Sequence, residues 1–410
     1  MNVPALDTGN TAWMLTSTAL VLFMTLPGLA LFYGGLVRTK NVLSVLMQCF
    51  SIASVVTVLW VAVGYSLVFT SAASPGVNLF LGGLGKSFLA TVTRGALWGT
   101  VPETVFAMYQ LTFAIITPAL IVGAFAERVG FAAMLVVSAI WSLVVYVPVA
   151  HAIWGGGWLQ QLGVLDFAGG IVVHVTAGVA GLVSCVYVGK RKGYPTTPMP
   201  PHSLTLSVVG AGMLWVGWFG FNAGSALAAN GVAGMTLAAT QVSAATAAVV
   251  WMLVEWARHG RPSVLGVITG AVAGLATVTP ASGYVGVAGA MAIGAVSAVV
   301  CFFSATSIKR RLGYDDSLDA FGVHGVGGFV GSVLTGVFAS VALGGTESIS
   351  VARQVAVQLL ACAVAAAWSG AVTWGAFVLA DALLGARVDD EQETLGLDLS
   401  NHEERGYDLG

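Results

Sequence analysis

The sequence predicts an all-α polytopic membrane protein: eleven transmembrane helices in a five-plus-five inverted repeat, with the N-terminus outside and the C-terminus cytoplasmic. Three observations predict it. The 410 residues are 57% hydrophobic and only 8% charged, with a mean hydropathy of +0.89, which lies outside the range of soluble globular domains. Apolar runs near the roughly 20 residues needed to cross a bilayer recur along the whole chain. Lys and Arg, sixteen in all, gather in alternate loops between those runs.

The first run, 11–37, contains Pro27-Gly28, so its boundaries are loose. After it come 42–69, 104–125, 131–149, 167–188, 204–221, 235–256, the short 264–278, 285–305, 321–341 and 355–384. Every run is continuously apolar rather than alternating, which excludes a transmembrane β-barrel. Arg38 and Lys40, Arg128, Lys190 to Lys192, Arg258 and Arg261, Lys309 to Arg311, and Arg387 with Arg405 follow the odd-numbered runs; only Lys86, Arg94 and Arg353 lie elsewhere. The positive-inside rule makes the larger set cytoplasmic and requires an odd number of spans in the cytoplasmic (inner) membrane. Residues 1–388 thus form the membrane domain. The acidic stretch 389–410 has no apolar period and reads as a cytoplasmic tail, disordered until something binds it.

Composition also excludes classes. A net charge of −2 without a basic, aromatic-laced stripe gives nucleic acid nothing to bind. Cys49, Cys185, Cys301 and Cys362 lie in apolar runs without CxxC or Cys/His spacing, so they read as buried small hydrophobes rather than disulfides or zinc ligands. No cofactor motif is present. Met1 to Asn10 shows no basic stretch before a short apolar one, so no cleavable signal peptide is visible; a natural start and a trimmed one both fit.

His174 and His324 are the only titratable side chains expected well inside the runs. An ionisable group there marks a functional site by default, because it is costly unless it lines a cavity or finds a partner. Each follows an aspartate, a phenylalanine and glycines: Asp166-Phe167-Ala168-Gly169-Gly170 before His174, and Asp319-Ala320-Phe321-Gly322-Val323 before His324. The histidines are 150 residues apart, in runs five and ten, and five runs per copy turns the second copy upside down. Such repeats place a substrate path near the midplane and bring the two histidines together. The plainer alternative is that two Gly-rich helices pack closely and each imidazole bonds a neighbour. Asp166 and Asp319 stand where helix N-caps would. Other carboxylates, Glu103, Glu127, Glu255 and Asp381, lie toward run ends, so a mid-membrane proton relay has only the histidines and water to use.

Aromatic and glycine residues crowd two loops expected outside: Trp154-Gly155-Gly156-Gly157-Trp158, and Trp218-Phe219-Gly220-Phe221-Asn222-Ala223-Gly224-Ser225. Rings with one hydroxyl hold a small cation at about 0.5–2 kcal/mol per ring. Interfacial rings also serve as lipid-level anchors.

At these residues the chain resembles the ammonium transporter (Amt) family of the Amt/Mep/Rh superfamily, especially its bacterial members. The resemblance is carried by Leu31-Phe32-Tyr33-Gly34-Gly35-Leu36-Val37-Arg38, Gly123-Ala124-Phe125-Ala126-Glu127-Arg128, Ala150-His151-Ala152-Ile153-Trp154-Gly155-Gly156-Gly157, the stretches 166–174 and 217–225, and Phe321-Gly322-Val323-His324-Gly325. It implies uptake of ammonium, and of methylammonium, by a protein that is not an enzyme and holds no metal or cofactor. Phe113, Trp154 and Ser225 match an external ammonium-recruitment site, with Asp166 behind it assisting deprotonation. Phe113 and Phe221 match a ring pair that closes the pore, His174 and His324 the twin histidines of a hydrophobic pore, and Trp218 a pore-lining tryptophan. Tyr109 stands one turn before Phe113, where many members have a second phenylalanine. The resemblance also implies a homotrimer whose cytoplasmic face and tail, with Gly396-Leu397-Asp398 and Tyr407 in the family pattern, receive a PII-type (GlnK) signalling protein.

Two other readings compete. A membrane-embedded metal enzyme built on the histidines needs carboxylate or thiolate ligands at regular spacing, and none stands beside them. An ammonium sensor signalling through the tail is the alternative to transport, although the short tail leaves no room for an output domain.

Overall fold

The computed structural model describes residues 5–408. Among the described residues, ten helices are long and apolar enough to cross a membrane: Thr8–Leu36, Thr39–Phe69, Glu103–Phe125, Phe131–Leu162, Gly170–Val188, Leu204–Gly224, Gly231–His259, Val287–Leu312, Phe321–Phe338 and Val351–Leu384. The eighth apolar run forms the shorter helix Val264–Val278, with the bounds expected from sequence. In chain order these eleven are the first to eleventh spans below. The first begins earlier than its apolar run, the fourth continues through the Trp154 glycines to Leu162, and the ninth carries Lys309 to Arg311 on its own end rather than in a loop. The only strands among the described residues are two short ones, Leu97–Trp98 paired antiparallel with Val101–Pro102 in the long connection before the third span. All four cysteines are buried and free.

Small residues set the helix spacing. A Cβ on Gly178 of the fifth span would overlap the backbone of Gly325 in the tenth, and one on Gly328 would lie 2.7 Å from the Gly170 carbonyl oxygen and 2.7 Å from His174 Cβ. Backbone touches backbone there, the small-residue contact by which helices associate when lipid supplies no hydrophobic drive. Both histidines sit within a π-helical turn beside this contact, Gly170–Val175 and Phe321–Gly325. Such turns occur mostly as single bulges and often at functional sites.

The two helix starts obey one rule, but not with the aspartates expected. Asp166 accepts from the backbone N–H groups of Gly169 (3.0 Å), Gly170 (2.6 Å), Ile171 (2.9 Å) and Val172 (3.0 Å). In the second copy Asp319 does not cap. Asp316 does, accepting from Ala320 (3.0 Å) and Phe321 (2.8 Å). Asp319 instead takes a left-handed φ of 60° and pairs with Lys309 at 2.6 Å. The true spacing is eight residues in both copies, 166 to 174 and 316 to 324. His151 is a second correction: it lies buried within the fourth span, each ring nitrogen 2.7 Å from a carbonyl oxygen, of Val68 and of Asn78.

The tail is ordered, against expectation. Asp390–Leu395 and Leu397–His402 are short helices, the first with an Asp389/Gln392 capping box. Lys40 donates to the Glu393 and Thr394 carbonyls (2.8 and 2.6 Å). Asp398 accepts from Leu43 and Ser44 (3.1 and 2.8 Å) at the start of a helix in the second span, while Leu397 donates to Asn41 (2.8 Å). Charge count alone hid this, because the partners are orphan helix-end groups of another segment.

An ion network ties the Lys/Arg-rich loops beneath the bundle. Glu127 accepts from the Arg38 backbone (2.7 Å) and Nε (2.8 Å), and Asp315 from Arg191 N, Nε and a terminal nitrogen (2.8, 2.9 and 2.8 Å). Burial pushes the Asp315 carboxyl up, but Arg191, aided by Arg128, outweighs it and holds the group below its ordinary value. A carboxyl depressed in the folded state stabilises above its unfolded pKa of about 4 and loses that contribution as pH falls through the folded value. The melting temperature in detergent should therefore be flat from neutral pH to about 5 and fall below about 4. Asp315→Asn, which strands two buried arginines, should cost about 3–5 kcal/mol by the same assay. Gly178→Leu should separate the fifth and tenth spans and destabilise by more than the roughly 1–3 kcal/mol of ordinary overpacking, because the obstacle is backbone; a melting temperature equal to that of the parent would refute this.

Candidate functional site

The third span supplies Tyr109 and Phe113 one turn apart, the end of the fourth Trp154, and the end of the sixth Trp218, Phe221 and Ser225. They converge. One cavity is walled by Phe113, Trp154 and Ser225 together with Phe69, Trp98 and Phe106. Trp154 meets Phe113 edge-on (centroids 5.8 Å, 85°), and its indole N–H donates to the Asp166 carbonyl at 2.9 Å. The main chain of Asp166 therefore aims the ring. Its carboxylate, with about four acceptor sites, is saturated by four backbone donors and buried behind the cavity.

Phe113 and Phe221, both buried, close the cavity floor with centroids 4.3 Å apart at 35°. Directly beyond, His174 lies 6.1 Å from Phe221 and 5.6 Å from Trp218. His174 and His324 face each other with centroids 5.2 Å apart and rings only 15° from parallel. Neither nitrogen of His174, nor Nδ1 of His324, finds a protein partner, although both residues are buried. A buried imidazole with free nitrogens is costly as a packing group and suits a path lined by a polar guest, which argues against the plain packing alternative. Trp218 is fixed by its N–H to Thr279 Oγ1 (2.9 Å). On the far side His324 opens onto a second cavity that also meets Tyr33, Glu255 and Asp319. Two cavities are thus separated by a short stack of apolar rings and the two facing imidazoles.

The sequence-predicted residues all fall on this axis. Missed were the outer wall of Phe69, Trp98 and Phe106, of which Trp98 stacks on Phe106 (4.3 Å, 5°), and the hydroxyl of Tyr109. That hydroxyl lies 2.9 Å from the Gly220 and Phe221 carbonyls and 3.2 Å from Ser225 Oγ. Trp98 lies in a hairpin without apolar periodicity, so only its ring type signalled it.

The model of the Ammonium Transporter Family matches residues 12–407. The chain belongs to the ammonium transporter family. It is 46% identical to an ammonium transporter of Aquifex aeolicus, covering 98% of this chain and 94% of the relative, and 45% identical to one of Bacillus subtilis, covering 97% and 98%. Among solved structures, Candida albicans Mep2 is similar at a TM-score of 0.86 and 37% identity, over 94% of this chain and 87% of that one. A structure described as a sensor Amt protein is similar at 0.88 and 28%, over 96% and 98%. The transporter is a multi-pass membrane protein, and its family is not one of enzymes.

Proposed function

We propose that this ammonium transporter recruits ammonium at Trp154, Phe113 and Ser225, removes its proton at the Phe113/Phe221 pair, and passes ammonia and the proton separately along His174 and His324. The observation that carries the reading is the pair of facing imidazoles, with free nitrogens, between two cavities. Magnitudes support the deprotonation step. Taking an ammonium-sized ion into low dielectric has an idealised Born cost on the order of 20 kcal/mol, whereas each ring returns about 0.5–2 kcal/mol. Neutral ammonia avoids that difference, and potassium has no proton to give up. An imidazole donates and accepts without a permanent charge, so a facing pair suits a relay. Asp166 assists by orienting Trp154 and by placing a fixed negative charge behind the recruitment site.

The same reading makes residues 1–388 a membrane domain of eleven helices, ten of them in a five-plus-five inverted repeat, with the N-terminus outside. The matched Asp166/His174 and Asp316/His324 units support it: the first lies beside the recruitment cavity, the second beside the Arg128/Asp315 network at the opposite mouth. We further assign it a homotrimeric state and a PII-type partner on the cytoplasmic face, where the tail docks onto Lys40 and Lys192. Sensing through that tail is the second reading, favoured by the likeness to the sensor Amt protein.

Solid-supported-membrane currents from proteoliposomes test transport: ammonium and methylammonium pulses should give currents and potassium none. Replacing both His174 and His324 with Asn should abolish the current or let potassium through. Unchanged current and selectivity in that variant would return the histidines to packing. Deleting residues 389–410 should weaken co-purification with a PII trimer, whose threefold avidity offsets weak single contacts, and should change basal flux. If neither responds, the regulatory reading of the tail fails while transport stands.

A further inference from the structure

The segment between the second and third spans is built against the recruitment cavity. Its backbone is pinned to the second span: Gly82 donates to Leu67 (2.8 Å), Gly83 to Thr70 (2.9 Å), Ser66 Oγ to Gly83 (2.8 Å), and Lys86 N–H to Ser66 Oγ (2.8 Å). Lys86 is therefore held in place, not a free surface lysine. Its ammonium pairs with Glu103, which is 5% exposed and also accepts from Tyr65 (2.6 Å). The same ammonium stands over the Trp98 ring at 5.8 Å and the Tyr65 ring at 5.9 Å. Trp98, stacked on Phe106 and edge-on to Phe69 (5.5 Å), is a wall of the cavity that holds Phe113, Trp154 and Ser225. One layer of rings separates a half-buried ion pair from the place where a cation is to be bound.

We propose that Lys86 and Glu103 form a balanced charge pair behind the Trp98/Phe106 wall, each cancelling the field the other would place on the recruitment site, so that their balance holds the half-saturating ammonium concentration where it is. This rests on the recruitment reading above. Rings transmit the field because they bring no mobile water or counter-ion between the charges. Paired, the two charges nearly cancel at the cavity. Either one alone acts on a bound cation with opposite sign, and unit charges about 10 Å apart at an effective dielectric near 20 shift affinity by roughly tenfold before screening.

The test is the concentration dependence of ammonium currents in proteoliposomes carrying the parent, Lys86→Met, Glu103→Gln or both substitutions. Lys86→Met, at a quarter-exposed side chain, should fold and lower half-saturation roughly three- to tenfold. Glu103→Gln should raise it by a similar factor, the double variant should return near the parent, and exclusion of potassium should hold throughout. Loosened packing would move both single variants the same way. Shifts of like sign, or no shift with Lys86→Met, overturn the proposal. Trp154→Leu separates this failure from that of the recruitment reading: if it leaves half-saturation unchanged, the recruitment site itself is wrong, whereas if only the Lys86 and Glu103 variants are silent, recruitment stands and the tuning falls.

Discussion

The rest of the pore depends on one contact, the crossing of Gly178 against Gly325 with Gly328 against the start of the fifth span. Two imidazoles 5.2 Å apart at 15° need their helix axes closer than side chains normally permit, and only residues without Cβ allow it at the crossing. In lipid there is no solvent-driven force between helices to compress a bulkier pair, so contact distance follows the residue at the crossing. The π turns then do the aiming. An extra residue in each turn changes which side of the helix its histidine occupies, so both rings meet on one side of the crossing instead of pointing to opposite neighbours.

Charge is arranged to keep unpaired carboxylates away from the two histidines. Every carboxylate near the axis is occupied elsewhere: Asp166 and Asp316 by backbone N–H groups at helix starts, Asp319 by Lys309, and Glu103 by Lys86. A free carboxylate in the passage would hold the ammonium ion instead of letting it shed its proton, since an opposite charge nearby stabilises the charged form. Anchoring the acids at helix N-termini also uses the positive end of the helix dipole, so the negative charge is stabilised without a mobile counter-ion. Selectivity then rests on what the passage refuses to solvate.

Most of the architecture was legible because its signals are local. The eleven apolar runs, the glycines beside His174 and His324, and the ring-rich ends of the fourth and sixth spans all announce themselves within a few residues. Three features were not. Asp316 was passed over for Asp319, because a cap is defined by which carboxylate reaches the free N–H groups, and two aspartates three residues apart look alike until the turn is built. The order of the tail is not legible from its composition because its partners are distant in sequence: Asp398 accepts from Leu43 and Ser44, Lys40 donates to the Glu393 and Thr394 carbonyls, and the Leu397 N–H donates to Asn41. His151 seemed to belong to a loop because the glycines after Trp154 suggested an early stop, while the helix runs through it to Trp154 and both ring nitrogens find carbonyls.

Tyr109 shows how a departure from the family pattern can keep function while changing the mechanics beneath it. Phenylalanine, expected there from the resemblance, would only pack against Phe113. The tyrosine ring packs in the same way, 5.1 Å and 68° from Phe113, and its hydroxyl reaches the carbonyls of Gly220 and Phe221 and the Ser225 hydroxyl. Those carbonyls belong to the last turn of the sixth span, where four acceptors lack intrahelical donors. Ser225 Oγ in turn lies 2.9 Å from the Phe221 carbonyl. One phenol thus ties the third span to the turn that carries both Phe221 and Ser225. Opening the Phe113/Phe221 pair by moving the sixth span would break these bonds in a buried site, where unmet polar groups cost about 1–3 kcal/mol each. Rotation of the rings in place leaves them intact. Turning the Phe113 and Phe221 rings in place therefore costs less than moving the backbone of the sixth span.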